Sequence, residues 1–498
     1  MPLSAPLPRS RRSRFRLCGV AGGLAALLLL AACSTNPATG ERQFAGLMSA
    51  EQEKAVGAEQ DPQVTAEFGG AYKDQAVQAY VDRMGQTLAR ATERPEIQYR
   101  FTVLDSPIVN AFALPGGYVY VTRGLMALAN NEAQLAGVVG HEIGHVTARH
   151  TAERYSQGTV AGVLASAAGV FLGQEAAQLG QAVGQGVLAG FSRGQELQAD
   201  GLGIRYMAAA GYDPRQMSGF LSTMGRQAQL DALLAGKPGS ADQFSYLQTH
   251  PPTGERVEQA STAAAARPGR DWTVGTESYL RLLDGMIYGD SPDHGLVRGT
   301  TFLHPSLGFR FQVPDGFQLV NGEQAVLALG PGDARIIFDA APSQGAASPE
   351  AYLRTVWARG SDLSGTASLS VNGMPAATGT ARVSTRSGLM DVRLVAIRWS
   401  ADTYYRFLFV TPPTATAGLD AAFRRTVEGF RPLTDADRQA SRPYRLRIVA
   451  VKPGETVADF VRRMPFTDYA EERFRVLNDI APGTALQPGQ LVKLVVQG

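Results

Sequence analysis

The stretch Val138-Val139-Gly140-His141-Glu142-Ile143-Gly144-His145-Val146 decides how the rest of the chain is read. Its polar residues stand among apolar residues and glycines, the pattern of a helix buried in a protein interior with three polar groups turned to one side. His141 and His145 are four apart, so both imidazoles leave the same helical face and can close on one metal ion. Glu142 sits a step round, too far to bind that ion but placed to hold and deprotonate a water on it. Burying Glu142 between two histidines without a cation would be costly. One zinc ion per chain is the cation this set implies, lowering the pKa of its water to about 7. Gly144 leaves room for an approaching strand or substrate.

A third ligand must come from elsewhere. The metzincin pattern would need Gly at 148 and His at 151, and the chain has Ala148 and Thr151. His150 misses that place by one residue and reads as a surface histidine at the helix end. Ser192-Arg193-Gly194-Gln195-Glu196-Leu197-Gln198-Ala199-Asp200 offers a better candidate in Glu196, with Asp200 one turn on along a largely apolar helix. Such a pair suits a metal: one carboxylate binds while the other orients a histidine ligand through its free N–H. Upstream, Val109-Asn110-Ala111-Phe112-Ala113-Leu114-Pro115-Gly116-Gly117 makes a turn into the strand Tyr118–Thr122. That strand is expected at a sheet edge, with Asn110, Gly116 and Gly117 around it, receiving a substrate backbone by β-augmentation.

H-E-x-x-H, E-x-x-A-D some fifty residues later and N-A-F-A-L-P-G-G upstream together resemble the zinc metallopeptidase family of the CAAX prenyl proteases and the periplasmic assembly-quality-control proteases. The resemblance spans roughly residues 60–290. It implies a mainly helical, gluzincin-type domain with His141, His145 and Glu196 as zinc ligands, Glu142 as catalytic base and Asp200 as proton donor. Relatives embedded in membranes have hydrophobic spans absent here, which points to the lipid-tethered periplasmic branch. Thr249-His250-Pro251-Pro252-Thr253-Gly254-Glu255-Arg256 resembles the family's H-P-x-x-x-x-R element. Two prolines stiffen it, so His250 can sit at a fixed place. Three roles stand open: a structural bond with Arg256, a donor to the oxyanion, or a gate in zinc's fourth position.

The chain has 498 residues, 44% of them hydrophobic, enough for several cores. Five arginines precede the apolar run Leu17–Ala32, the layout of a signal peptide over residues 1–32. Without those arginines the formal charge of +2 becomes −3, which gives no reason to expect nucleic acid. Leu30-Ala31-Ala32-Cys33 resembles a bacterial lipobox, implying a lipid on Cys33, and Ser34 favours the periplasmic face of the outer membrane. Cys18 and Cys33 are the only cysteines, so zinc must be held by His and carboxylate alone. Residues 33–60 read as a polar tether and 61–292 as the peptidase domain. From Gly158 to Ser192 the sole charge is Glu175, which fits packed small-residue helices or a lid.

Residues 299–433 run strands first and then a closing helix, an α+β domain whose opening His304–Pro314 resembles PsbP-like domains. Residues 443–498 read strand, helix, helix, strand. Their P-G-E-T turn, L-N-D-I helix end and P-G-Q strand resemble a LysM peptidoglycan-binding module, although Met464-Pro465-Phe466 departs from that pattern. The whole is an α+β chain: peptidase, α+β domain, βααβ module. Two functions compete. One is a zinc endopeptidase that hydrolyses misassembled envelope proteins. The other is a latent protease serving mainly as a chaperone or scaffold lipoprotein held at peptidoglycan.

Overall fold

The computed structural model describes residues 34–43, 48–154, 190–236, 250, 254–267, 269, 271–322, 325–385 and 388–498. The signal peptide, Cys33, most of the Gly158–Ser192 stretch and Pro251–Thr253 lie outside them.

A short hairpin, β1 (Ser34–Thr35) and β2 (Arg42–Gln43), opens the described chain. Helix α1 (Ala50–Glu67) follows, beginning inside the stretch read as a tether. Its sequence hides it: only Glu53 and Gly57 are buried, so no apolar stripe marks it. A capping box between Ser49 and Gln52 starts it. Helix α2 (Gln75–Ala89) then packs on a sheet of β3 (Arg100–Leu104), β4 (Ala111–Leu114) and β5 (Tyr118–Thr122).

The sheet order is β3-β5-β4, which corrects the edge-strand expectation. β5 is central and fully buried, parallel to β3 and antiparallel to β4. The edges are β3 and β4, and sequence alternation cannot reveal which strand lies outermost. Gly116 and Gly117 turn with φ of 81° and 94°. A Cβ on Gly116 would stand 2.7 Å from Lys54 Cα, so the turn is pressed onto α1 rather than open to a ligand.

Helices α3 (Arg123–Leu128) and α4 (Glu132–Thr147) follow, α4 capped by Asn131 through the Gln134 N–H. α4 meets α5 (Arg193–Ala210) backbone to backbone. A Cβ on Gly203 would lie 2.9 Å from His141 N, and one on Gly144 3.1 Å from Ala199 O. Gly144 therefore admits a helix, not a strand or substrate. Helices α6 (Arg215–Leu234), α7 (Gly254–Ala265) and α8 (Thr276–Leu283) complete the surround.

Strand β6 (Ile287–Tyr288) leads to β7 (Leu296–Arg298), β8 (Thr301–His304) and β9 (Phe309–Gln312). A seven-stranded antiparallel sheet comes next: β10 (Gln318–Asn321), β11 (Val326–Leu329), β12 (Arg335–Pro342), β13 (Ser364–Val371), β14 (Met374–Thr385), β15 (Gly388–Arg398) and β16 (Thr403–Thr411). Its order is β10-β11-β12-β16-β15-β14-β13, with helix α9 (Pro413–Glu428) packed on β15 and β16. β17 (Arg431–Pro432) closes a small sheet beside β9.

The last block is the expected βααβ arrangement: β18 (Tyr444–Ala450), α10 (Val457–Val461), α11 (Ala470–Leu477) and β19 (Leu491–Gln497). It is not a separate bead. β18 pairs with β6, and Leu446, Phe460, Phe474 and Leu494 join one hydrophobic core with the peptidase helices. Lys493 is fully buried and donates to the carbonyls of Ala127, Leu128 and Ala129 at 2.7, 3.2 and 2.8 Å, capping the C-terminus of α3.

Candidate metal centre

α4 supplies His141, Glu142 and His145, and α5 supplies Glu196 and Asp200. The glycine contacts between the two helices bring these groups together. All five, with His250 and Arg256, are at most 2% exposed.

His141 Nε2 lies 3.0 Å from His145 Nε2 and 3.6 Å from Glu196 Oε2, and His145 Nε2 lies 3.5 Å from Glu196 Oε1. Tetrahedral zinc with bonds of 2.0–2.2 Å separates its donors by about 3.4 Å. The triangle fits. His141 Nδ1 stands 2.8 Å from Asp200 Oδ1. An ionised carboxylate only accepts, so that nitrogen donates and Nε2 is left bare toward the triangle. Arg256 grips Asp200 with Nε at 2.7 Å and Nη2 at 2.8 Å, while its Nη1 lies 2.8 Å from Glu196 Oε2.

Both Glu142 oxygens and Glu196 Oε2 are buried without a hydrogen-bond partner among the described residues. Arg256 contacts that last oxygen as an ion pair, outside hydrogen-bond geometry. Burial pushes the Glu142 carboxyl well above its usual range, with repulsion from Glu196 adding to it. Burial works the same way on Glu196, but the charge of His250 and bonds from His145 and His250 hold it low. Asp200 is also drawn down against burial, by Arg256 and His141. Burial keeps His145 neutral. Glu196 and Asp200 are held ionised while Glu142 is pushed toward its neutral form, and a divalent cation beside it would offset that desolvation.

His250 lies inside this set. Its Nδ1 is 2.8 Å from Glu196 Oε1 and 3.3 Å from His141 Nε2, and its Nε2 is 3.8 Å from Glu142 Oε1. Burial lowers its pKa to about 4. The donor atoms of His141, His145, Glu196 and His250 all fall within 4.8 Å of one another. Asn110, Gly116 and Gly117 are not part of this cluster. They belong to the strand-and-turn layer, where β4 packs against α4.

His150 corrects the expectation of a surface residue. It is 1% exposed, its Nδ1 2.9 Å from His145 Nδ1 and its Nε2 2.7 Å from Gln198 Oε1. The cause is Arg149, at φ 59°, which ends α4 and turns the chain back under His145. Phe191 stacks on the other side of His145, with ring centroids 3.8 Å apart. No spacing rule announces either residue.

An H-E-x-x-H helix crossed by a carboxylate-bearing helix, with a glutamate that has no hydrogen-bond partner among the described residues, is the layout of a zinc metallopeptidase domain. Residues 75–264 match Peptidase family M48, and this part of the chain is an M48 domain. The Beta-barrel assembly-enhancing protease of Yersinia pestis is 31% identical over 230 residues, covering 44% of this chain and 45% of that protein. The Mitochondrial metalloendopeptidase OMA1 of Arabidopsis thaliana is 31% identical over 190 residues, covering 38% and 36%. The chain thus spans less than half the length of either relative. A solved cyanobacterial PsbP structure covers 28% of this chain at 13% identity, and its TM-score of 0.23 carries no assignment.

Proposed function

We propose that the chain is a zinc-dependent endopeptidase of the bacterial envelope, held by a lipid on Cys33 at the periplasmic face of the outer membrane. The observation that carries the peptidase is Glu142: fully buried, with neither oxygen hydrogen-bonded among the described residues, beside two histidines and a carboxylate at zinc-ligand spacing. The names of the Yersinia and Arabidopsis relatives support proteolysis, and the former supports misassembled envelope proteins as substrates. No helix among the described residues is long and apolar enough to cross a membrane. A lipid at Cys33 would supply the attachment.

His141, His145 and Glu196 hold the ion. Bound zinc supplies Lewis acidity to a water and to the scissile carbonyl. Glu142 takes the proton of the attacking water and passes it to the leaving amine. Asp200 fixes the ring of His141, and Arg256 keeps Asp200 ionised. The edge of β4 (Ala111–Leu114), unpaired among the described residues, receives the substrate backbone in extended form.

The burial of the whole site and the position of His250 favour a resting latent state. As fourth donor His250 would present Nδ1 and turn its proton on Nε2 toward Glu142, occupying both ion and base. Latency leaves room for the second reading, a client-binding lipoprotein that cleaves rarely, with the LysM-like module supporting peptidoglycan as a further ligand.

Proteolysis by the purified chain, before and after chelation and zinc return, tests the peptidase. Activity must vanish and come back with zinc, and insensitivity to chelation would reject it. His250→Ala should cleave faster if His250 is a gate, and slower by about 10²–10³ if it stabilises the oxyanion. Fractionation of Cys33→Ala away from the outer membrane tests the anchor.

A further inference from the structure

The two ligand histidines are braced differently. His141 leans on Asp200, an anion already held by Arg256. His145 leans on a neutral histidine, and the contacts continue from there to the start of the described chain.

We propose that His150, Gln198 and Asn36 form a relay that positions His145 for the metal and ties it to the hairpin following Cys33. The relay rests on the zinc reading above. With His145 offering Nε2 to the ion, its one proton sits on Nδ1, 2.9 Å from His150 Nδ1. That nitrogen must accept, so His150 carries its own proton on Nε2, 2.7 Å from Gln198 Oε1. The Gln198 oxygen also accepts from Asn36 Nδ2 at 3.3 Å, and its amide nitrogen donates to Glu41 Oε2 at 2.9 Å. Asn36 Nδ2 donates as well to Ala148 O at 3.1 Å, on the residue that ends α4. Each link fixes the direction of the next. Reversing any one sets two lone pairs or two N–H groups face to face, which inside a buried site costs a hydrogen bond.

Local structure holds the links in place. The left-handed turn at Arg149 is pinned by Glu53, whose Oε1 accepts from Arg149 Nε at 2.6 Å and whose Oε2 pairs with Arg94. Arg149 also donates to Met48 O. His150 cannot swing away without breaking that network. Gln198 belongs to α5, the helix that carries Glu196 and Asp200, so the relay joins both metal-bearing helices. Displacing the hairpin would break the Asn36 bonds to Gln198 and Ala148 and so loosen His145.

The test measures the zinc dissociation constant of the full chain by chelator competition, beside the melting temperature of the metal-free protein. His150→Phe keeps a ring and loses the acceptor, so zinc should bind 10–100-fold more weakly, about the usual loss for a ligand's outer partner. His150→Asn puts Oδ1 where Nδ1 stood and should recover affinity to within about threefold. Gln198→Leu, which serves if His150→Phe fails to fold, should cost about tenfold, and Asn36→Ala about fivefold. A merely structural role would lower the metal-free melting temperature and leave the zinc constant alone. Zinc affinity within about twofold of the parent in Gln198→Leu and in the foldable His150 variants overturns the relay. If the parent chain itself takes up no zinc, the reading of the metal site fails instead.

Discussion

The interior around His141 and the interior of the seven-stranded sheet are buried to the same degree and built from opposite materials. Around His141 stand histidines, carboxylates and a guanidinium, all at most 2% exposed. Behind the sheet stand Phe309, Phe311, Phe338, Tyr405, Phe407 and Phe430. Their rings meet at 4.5–4.7 Å for Phe311–Phe338 and Phe338–Phe407, in tilted geometry that aromatic pairs favour. The aromatic core is complete as it stands, whereas the polar one contains a glutamate with no hydrogen-bond partner among the described residues. A fold does not keep an unfinished polar interior for stability, because replacing it with apolar packing would cost less. It is kept for what binds there.

The contrast breaks first, and hardest, at Glu196. Glu196→Gln should release most of the zinc while the aromatic domain keeps its stability, as read by metal analysis and denaturant unfolding. Stoichiometric zinc in that variant would remove Glu196 from the ligand set. Phe338→Ala is the converse. It should cost about 3–5 kcal/mol of folding stability through the cavity it leaves, with zinc content unchanged. Loss of zinc there would mean the two interiors are coupled more closely than their separate cores imply.

Lys493 stands between the two kinds of interior: a single amine in an apolar seam, its pKa pushed well down by burial, matched by three backbone carbonyls. Lys493→Met keeps the length and strands those oxygens, at a cost of about 1–3 kcal/mol. Unfolding in which the C-terminal module melts at a lower denaturant concentration would support the seam, and an unchanged single transition would argue against it.

The smallest effect concerns His304, a histidine beside the aromatic core. Burial, helped by the charge of His294, lowers its pKa from 6.5 to about 4, and its Nδ1 accepts from Leu307 N–H at 3.2 Å. The unfolded chain takes up that proton near pH 6.5 while the folded one waits until about 4, so protons favour unfolding across that window. Stability should fall as pH drops from 6.5 toward 4, and His304→Phe should remove part of that fall. Denaturation midpoints at pH 7 and pH 5 for both proteins decide it, and equal pH dependence would exclude His304.

The same contrast explains what the sequence reveals. His141, Glu142, His145, Glu196 and Asp200 stand out because each is a polar residue at helical spacing in an apolar run, and the structure brings them to one place. The strands of the sheet stand out by alternation, as in Tyr405–Thr411, where buried and half-buried positions take turns. His150 stays hidden because its burial depends on a left-handed turn at Arg149, a residue type that gives no warning of one. Helix α1 is masked by its polar composition and by Pro62 within it. The central place of β5 and the burial of Lys493 come from long-range packing. In sequence, Lys493 is one more charge in an alternating strand.

The most direct test of the account is Glu142→Gln, assayed for zinc and peptide hydrolysis on one preparation. Gln keeps the shape and cannot act as base, so the variant should hold one zinc per chain and lose cleavage. A zinc-loaded variant that still cleaves at the parent rate would contradict the account.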